Sequence, residues 1–133
     1  MGLSPPNAAA ALESLRLLQG QPERVERLRH RSEFFLSEAK KRGLDTGPSH
    51  DSPVVPVILG NSVQCLKLGE KLFDKGINVQ AVLYPAVPED ASRLRFFITA
   101  LHSESEMIRT LDTLVAALDE IRSEPSISLM QPA

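Results

Sequence analysis

Arg93 and Arg95 stand two apart in a stretch that alternates, Arg93-Leu-Arg-Phe-Phe-Ile-Thr-Ala100. Residues two apart in a strand share a face. Leu94, Phe96, Ile98 and Ala100 therefore turn one way, and Arg93, Arg95, Phe97 and Thr99 the other. One face is apolar; the other sets two guanidinium groups beside an aromatic ring. The preceding Tyr84-Pro-Ala-Val-Pro-Glu-Asp-Ala-Ser92 reads as a loop, from its two prolines and the Glu-Asp that follows them. A guanidinium on a strand, next to a stiff Pro-rich loop, is suited to gripping a carboxylate through two parallel hydrogen bonds. Periodicity alone leaves a second reading open: a solvated strand face that happens to carry two arginines.

Little other chemistry is spelled out. His30, His50 and His102 are far apart, without metal-ligand spacing. No P-loop, dinucleotide fingerprint or nucleophile elbow occurs. The five lysines, Lys40, Lys41, Lys67, Lys71 and Lys75, fall on expected helix surfaces, a poor setting for Schiff-base work. Glu70 and Asp74 sit beside Lys71 and Lys75 and read as a solvated face. Cys65 lies on a packed helical stripe with no local His and reads as core. His102, at a strand-to-helix junction, reads as a turn or cap residue.

The elements that must position the arginines follow from the rest of the chain. Pro5-Pro6 opens a first helix over Asn7–Gln19, ended by Gly20. Its run Ala8–Leu12, with Leu15, Leu17 and Leu18, is apolar on nearly all sides at first and calls for partners all round. Pro22 opens a second helix, to about Arg42, with Val25, Leu28, Phe35, Leu36 and Ala39 as its stripe and Gly43 beyond its end. Asp45–Pro53 is a loop. Val54–Gly60 is a strand whose Pro56 belongs at an edge or an end. Asn61 caps a third helix, with Gln64 three residues on, Cys65, Leu68, Gly69, Leu72 and Phe73 as its stripe, and Gly76 closing it. Ile77–Leu83 and Arg93–Leu101 are the second and third strands. A connection of roughly ten residues is too short for a helical crossover, so the two should be antiparallel. Ser103 with Glu106 is a capping box before a last helix built on Met107, Ile108, Leu111, Leu114, Val115, Leu118 and Ile121. The order ααβαββα predicts an α+β two-layer sandwich, a small and mostly antiparallel three-stranded sheet with helices on one side. Residues 1–122 form one domain, and 123–133 a flexible tail.

Composition bounds the class. A chain of 133 residues, 42% hydrophobic and 24% charged, has the ordinary makeup of a single domain. A net charge of −2 and 5% aromatics without tryptophan give nucleic acid no basic patch or stacking platform. No apolar run approaches the ~20 residues of a membrane span. The lone cysteine excludes an internal disulfide and points to a reducing, cytoplasmic setting.

The motifs together resemble a known family. Gly2-Leu-Ser-Pro-Pro-Asn-Ala-Ala-Ala-Ala11, then Val79-Gln-Ala-Val-Leu-Tyr-Pro-Ala-Val-Pro88, then Arg93-Leu-Arg95, then Thr99-Ala-Leu-His-Ser-Glu104 look like the C-terminal domain of the α-oxoamine synthases. These fold-type I, pyridoxal-phosphate-dependent enzymes include 8-amino-7-oxononanoate synthase, 5-aminolevulinate synthase, glycine C-acetyltransferase and serine palmitoyltransferase. The Leu83–Pro88 wording and the Arg-Phe-Phe-Ile that follows resemble variants from polyketide or acyl-carrier assembly systems. The resemblance implies a small domain that folds over the cofactor in an acyltransferase joining an amino acid to an acyl thioester, on acyl-CoA or an acyl carrier protein. It implies that an arginine of the Arg-Leu-Arg motif binds the amino-acid carboxylate, assigned here to Arg95, and that the parent enzyme is a homodimer. Two departures matter. Nothing in the chain matches the large domain that supplies the Schiff-base lysine, so no catalytic residue is assigned and the chain is not expected to hold pyridoxal phosphate alone. Gly2 stands where family members carry a Ser or Thr that reaches the cofactor phosphate, so no cofactor-binding residue is assigned either.

Two functions are therefore weighed. One is a fragment of such an enzyme, inactive by itself, which the start at Met1-Gly2 fits. The other is an independent ferredoxin-like α+β module that binds an amino acid or a protein partner. The first helix discriminates: in a fragment it should show an exposed apolar face or pair with a second copy, and in a finished module it should be covered.

Overall fold

The computed structural model describes residues 2–123. Its elements run α1 (Pro5–Gly20), α2 (Glu23–Lys41), β1 (Val54–Ile58), α3 (Ser62–Asp74), β2 (Gln80–Val82), a 3-10 turn (Glu89–Ala91), β3 (Arg93–Phe97) and α4 (Glu104–Ser123). The expected order is present. Of the tail expected over 123–133, only Ser123 lies within the described residues, and it closes α4.

The sheet order is β1-β3-β2, and both pairings are antiparallel. The strand that carries the arginines is thus the central one. Pro56, which has no N–H to give to a ladder, sits on the edge strand β1 opposite Arg95. Val55 and Val57 of β1 and Leu94 and Phe96 of β3, with Ile98 just beyond it, are buried against the helices, as the alternation requires. Phe35 of α2 meets Phe96 with ring centroids 5.3 Å apart. Leu68 and Leu72 of α3 and Leu111, Leu114 and Leu118 of α4 complete one continuous core. α2, α3 and α4 form the helical layer, and the arginine face of the sheet points away from it.

Helix ends follow their residues. Both Gly43 and Gly76 have positive φ, 72° and 79°, and both end a helix in the same double-bonded turn. After α3, Gly76 N–H donates to Phe73 O at 2.9 Å and Ile77 N–H to Leu72 O at 2.8 Å, which carries Ile77 into the core. After α2, the matching bonds run from Gly43 to Lys40 and from Leu44 to Ala39. This explains why β2 is shorter than the expected Ile77–Leu83: Ile77 is consumed in closing α3, and the ladder pairs only Gln80, Ala81 and Val82. β3 likewise ends at Phe97, because Thr99–His102 turns, with Thr99 N–H donating to His102 Nδ1 at 3.2 Å. The turn role read for His102 is present.

Asn61 caps α3 by accepting from Gln64 N–H at 2.9 Å. Ser103 and Glu106 make the reciprocal box at the start of α4, with Ser103 N–H donating to the Glu106 carboxylate at 2.8 Å and Glu106 N–H to Ser103 Oγ at 3.3 Å. Three apolar residues depart from expectation: Val25 of the α2 stripe is 40% exposed, and two more lie on α3 and α4. Phe73 is 66% exposed although it sits on the expected stripe of α3, and Ile108 lies at the margin of α4's buried face. In a helix of 3.6 residues per turn, Cys65, Leu68 and Leu72 already fill the narrow contact with the sheet, and Phe73 falls a further 100° around. No residue of α1 is buried. Its proline start and alanine-rich first turns give it helix propensity, but it packs no apolar side chain into the core.

Candidate functional site

The open sheet face forms a shallow cleft. Its floor holds Val54 and Pro56 from β1, Val82 from β2 and Arg93 and Arg95 from β3. One rim is Pro48, Ser49, His50 and Ser52, and Val87 of the β2–β3 connection contributes the other. The sequence places residues 45–53 only in a loop; folding brings His50 and its neighbours to the arginines. Among the described residues no group of His, Cys, Asp and Glu could hold a metal, and no helix is long and apolar enough to cross a membrane.

Arg95 is half-buried in this floor. Its Nη2 donates to Gln80 Oε1 at 3.1 Å, and its guanidinium carbon lies 5.1 Å from the centroid of the Phe97 ring, within cation–π range. Its Nε is buried without a hydrogen-bond partner. A buried unpaired N–H is costly, and this one belongs to a cation that pairs with no carboxylate of the described residues. Arg31 also buries an unpaired Nε, but its charge meets Glu104 at 3.1 Å, and Arg42 bridges Glu38 at 2.6 Å and Asp112 at 2.8 Å. Arg93 Nε donates to Ala91 O at 2.8 Å and so secures the turn that precedes its own strand.

The Pro-x-Val-Pro connection beside the arginines is fastened rather than loose. Glu89 reaches the start of α3 and accepts from Ser62 N–H at 2.7 Å and from the Ser62 hydroxyl. The same hydroxyl lies 2.9 Å from Ser92 Oγ, which is fully buried. The Ser62 hydrogen bonds hold the Glu89 carboxyl below its ordinary range, as expected for a carboxylate at a helix N-terminus. Gly60 has φ +70°, and a Cβ there would meet Asp90 O at 3.2 Å, so the close approach of loop to strand end favours glycine. Leu59 and Gly60 N–H both donate to Ser92 O. Periodicity left Ser62, Glu89 and Ser92 unremarked; a serine just inside a capped helix is a weak signal, and its partner lies 27 residues away.

Other chemistry-bearing residues serve structure. Cys65 is buried, and its thiol is pushed up to about 11 by burial first and by the Glu89 charge second. Lys71 Nζ reaches Glu120 at 3.2 Å, and Lys75 reaches the same carboxylate at 3.7 Å. Both thus reach across to α4. Lys41 pairs with Glu38.

Residues 2–114 match the family model for aminotransferase class I and II. The chain belongs to that family. Among curated relatives it is 40% identical over 105 residues to an 8-amino-7-oxononanoate synthase of Thermosipho melanesiensis, covering 79% of this chain and 27% of the relative. It is 39% identical over 111 residues to the enzyme of the same name from Fervidobacterium nodosum, covering 84% and 28%. Among solved structures it superposes on SPT with its PLP internal aldimine at TM-score 0.84 and 28% identity, covering 91% of this chain and 31% of that one. The fold also matches a serine palmitoyltransferase of Sphingomonas wittichii, at TM-score 0.83 and 24% identity, over 93% and 31%. These are the α-oxoamine synthases that the motifs resemble. The chain spans less than a third of the length of each.

The cleft supplies arginines and a histidine, but not the groups that would join pyridoxal phosphate as a Schiff base or pair with its ring nitrogen. Its lining holds no lysine and no Asp or Glu, and the lysines lie on α2, on α3 and, for Lys75, at the C-terminal cap of α3.

Proposed function

We propose that this chain is the C-terminal domain of a pyridoxal-phosphate-dependent α-oxoamine synthase, a homodimeric cytoplasmic acyltransferase that condenses an amino acid with an acyl thioester, and that its part is to bind the amino-acid carboxylate through Arg95. The observation that carries this reading is the state of Arg95: a cation fixed on an open sheet face, without an acidic partner among the described residues, beside a clamped loop. A substrate carboxylate supplies the missing acceptors, and two parallel charge-assisted bonds fix its plane. Relatives of three times the length and the match to structures holding PLP support placing the cofactor and its lysine in another domain. The bare α1 supports the same division, since the alternative module would cover that helix. The single buried thiol is in keeping with a reducing compartment.

The test has two arms. Added pyridoxal phosphate followed by borohydride should leave no stoichiometric adduct at any one lysine of this chain. In the enzyme that joins this domain to its cofactor domain, Arg95→Ala should weaken amino-acid binding at least tenfold and leave acyl-donor binding near wild type. A stoichiometric lysine adduct, or an Arg95→Ala enzyme with unchanged amino-acid affinity, would overturn the reading.

A further inference from the structure

A guanidinium on a long side chain grips a carboxylate well only if its plane is held beforehand, because freezing rotamers on binding costs affinity. The structure shows what holds this one. In the central strand, Arg95 has two cross-strand neighbours on its face, Pro56 of β1 and Gln80 of β2. Proline offers no side-chain hydrogen bond, so Gln80 is the polar member of the pair. Its Oε1 accepts from Nη2 at 3.1 Å, while the Phe97 ring lies against the guanidinium. The amide fixes one edge and the ring fixes one face.

We propose that Gln80 is a positioning residue for substrate carboxylate recognition, and that its being an amide rather than an acid is what keeps Arg95 available. The proposal rests on Arg95 being the carboxylate ligand. A neutral amide oxygen orients a cation without discharging it. A glutamate at the same place would form a charge-assisted pair with Arg95, and the incoming carboxylate would have to displace it. The chain uses such pairs elsewhere, at Arg42 with Glu38 and Asp112 and at Arg31 with Glu104, where the cation has a structural task. The short strand β2 fits this role. It has three paired residues, and the first is Gln80, in register with Arg95.

The experiment compares Gln80→Ala, Gln80→Glu and Arg95→Ala, alone and combined, in the enzyme carrying this domain. Gln80→Ala should raise the amino-acid KM by roughly three- to tenfold, the range expected for one hydrogen bond. Gln80→Glu should raise it further, although it restores an acceptor, and neither should move the acyl-donor KM. In the Arg95→Ala background both changes should be silent. Independently of turnover, the Arg95 Nε–H signal in nitrogen-15 spectra of this chain should exchange with solvent faster in Gln80→Ala than in wild type. If Gln80→Glu binds the amino acid as well as wild type, or if either change keeps its effect without Arg95, Gln80 does not act through the arginine and the proposal fails. If Arg95→Ala weakens the amino acid while both Gln80 variants match wild type, the proposal fails alone and the reading of Arg95 stands. If Arg95→Ala is itself silent, both fall.

Discussion

The Glu89 carboxylate accepts both the backbone N–H, at 2.7 Å, and the hydroxyl of Ser62 at the first residue of α3, 27 positions earlier in the chain. The contact ties the loop beside the two arginines to a helix that packs under the sheet. It also joins a negative charge to the positive end of that helix.

This latch should be sensitive to acid. Its hydrogen bonds hold the folded Glu89 carboxyl below the ordinary value of 4.5. A depressed folded pKa contributes stability that is fully present above the unfolded pKa and is lost as pH falls through the folded one. Glu89→Gln should therefore be less stable than wild type at pH 7. The gap should close below pH 4 as the wild-type carboxylate protonates. Urea unfolding of both proteins across this range checks it; a gap that persists at low pH would assign the effect to something other than the charge.

Cys65 should be inert while the chain is folded. With its thiol at about 11, roughly one molecule in a thousand is thiolate at pH 8, and the thiolate is the reactive form. An aromatic disulfide reagent should label it only after denaturant is added. Rapid labelling of the native chain would show that α3 opens readily or that the site is reactive.

Gly69 is an unforced glycine inside α3. A Cβ there would meet Leu94 Cδ2 at 3.9 Å, an ordinary contact. Gly69→Ala should stabilise the chain by about 0.5–1 kcal/mol, chiefly by restricting the unfolded chain and favouring helix. A thermal melt raised by a few degrees is the expected result, and a lowered one would mean that the helix–strand contact has no room for a methyl group.

Much of this architecture was legible in the chain because its helix ends are chemically explicit. Asn61, Ser103 with Glu106, and the glycines at 43 and 76 mark boundaries by local hydrogen bonding, and local bonding is written in adjacent residues. The alternation of Leu94, Phe96 and Ile98 with Arg93, Arg95 and Phe97 fixed the faces of β3 for the same reason. What was not legible depends on distant partners. β2 is short because the turn after α3 takes Ile77, a competition that β-propensity does not register. Phe73 is exposed because the sheet is too narrow to receive it. Gln80 takes its place beside Arg95 only through strand register, and Glu89 its place at Ser62 only through the fold. The motif resemblance pointed to Arg95 but was silent on what orients it.

The bare first helix should make the chain associate. Leu12, Leu15 and Leu18 are each about half exposed, at 50%, 52% and 50%, and Leu17 is 44% exposed. An apolar surface of this kind on a soluble chain seeks a partner. Sedimentation should show a dimer or larger species as concentration rises, and Leu12→Glu with Leu15→Glu should return the chain to monomer. A wild-type monomer at every concentration would mean that α1 stays solvated or folds back on the body.

The arginines themselves are separated by a charge-conserving exchange. Arg95→Lys keeps the charge but replaces a planar fork with a single ammonium, which cannot present two parallel N–H groups to a carboxylate. Losing one charge-assisted hydrogen bond is worth roughly 1.5–3 kcal/mol, or about tenfold or more in amino-acid binding. On the proposed reading the condensation rate of the parent enzyme should fall as well, since a tilted carboxylate misplaces the carbon that reacts. Arg93→Lys should do much less to binding, because Arg93 Nε is engaged by the carbonyl of Ala91 at 2.8 Å; its loss should show in the thermal melt as a small loosening of the β2–β3 connection. Arg95→Lys should leave the melt nearly unchanged, since among the described residues it removes no carboxylate partner and only one hydrogen bond, to Gln80. Steady-state kinetics at varied amino-acid concentration, with melts alongside, separate the cases. Near-normal Arg95→Lys kinetics together with a dead Arg93→Lys enzyme would transfer the carboxylate to Arg93. Two normal enzymes would reduce the arginine face to a solvated sheet surface.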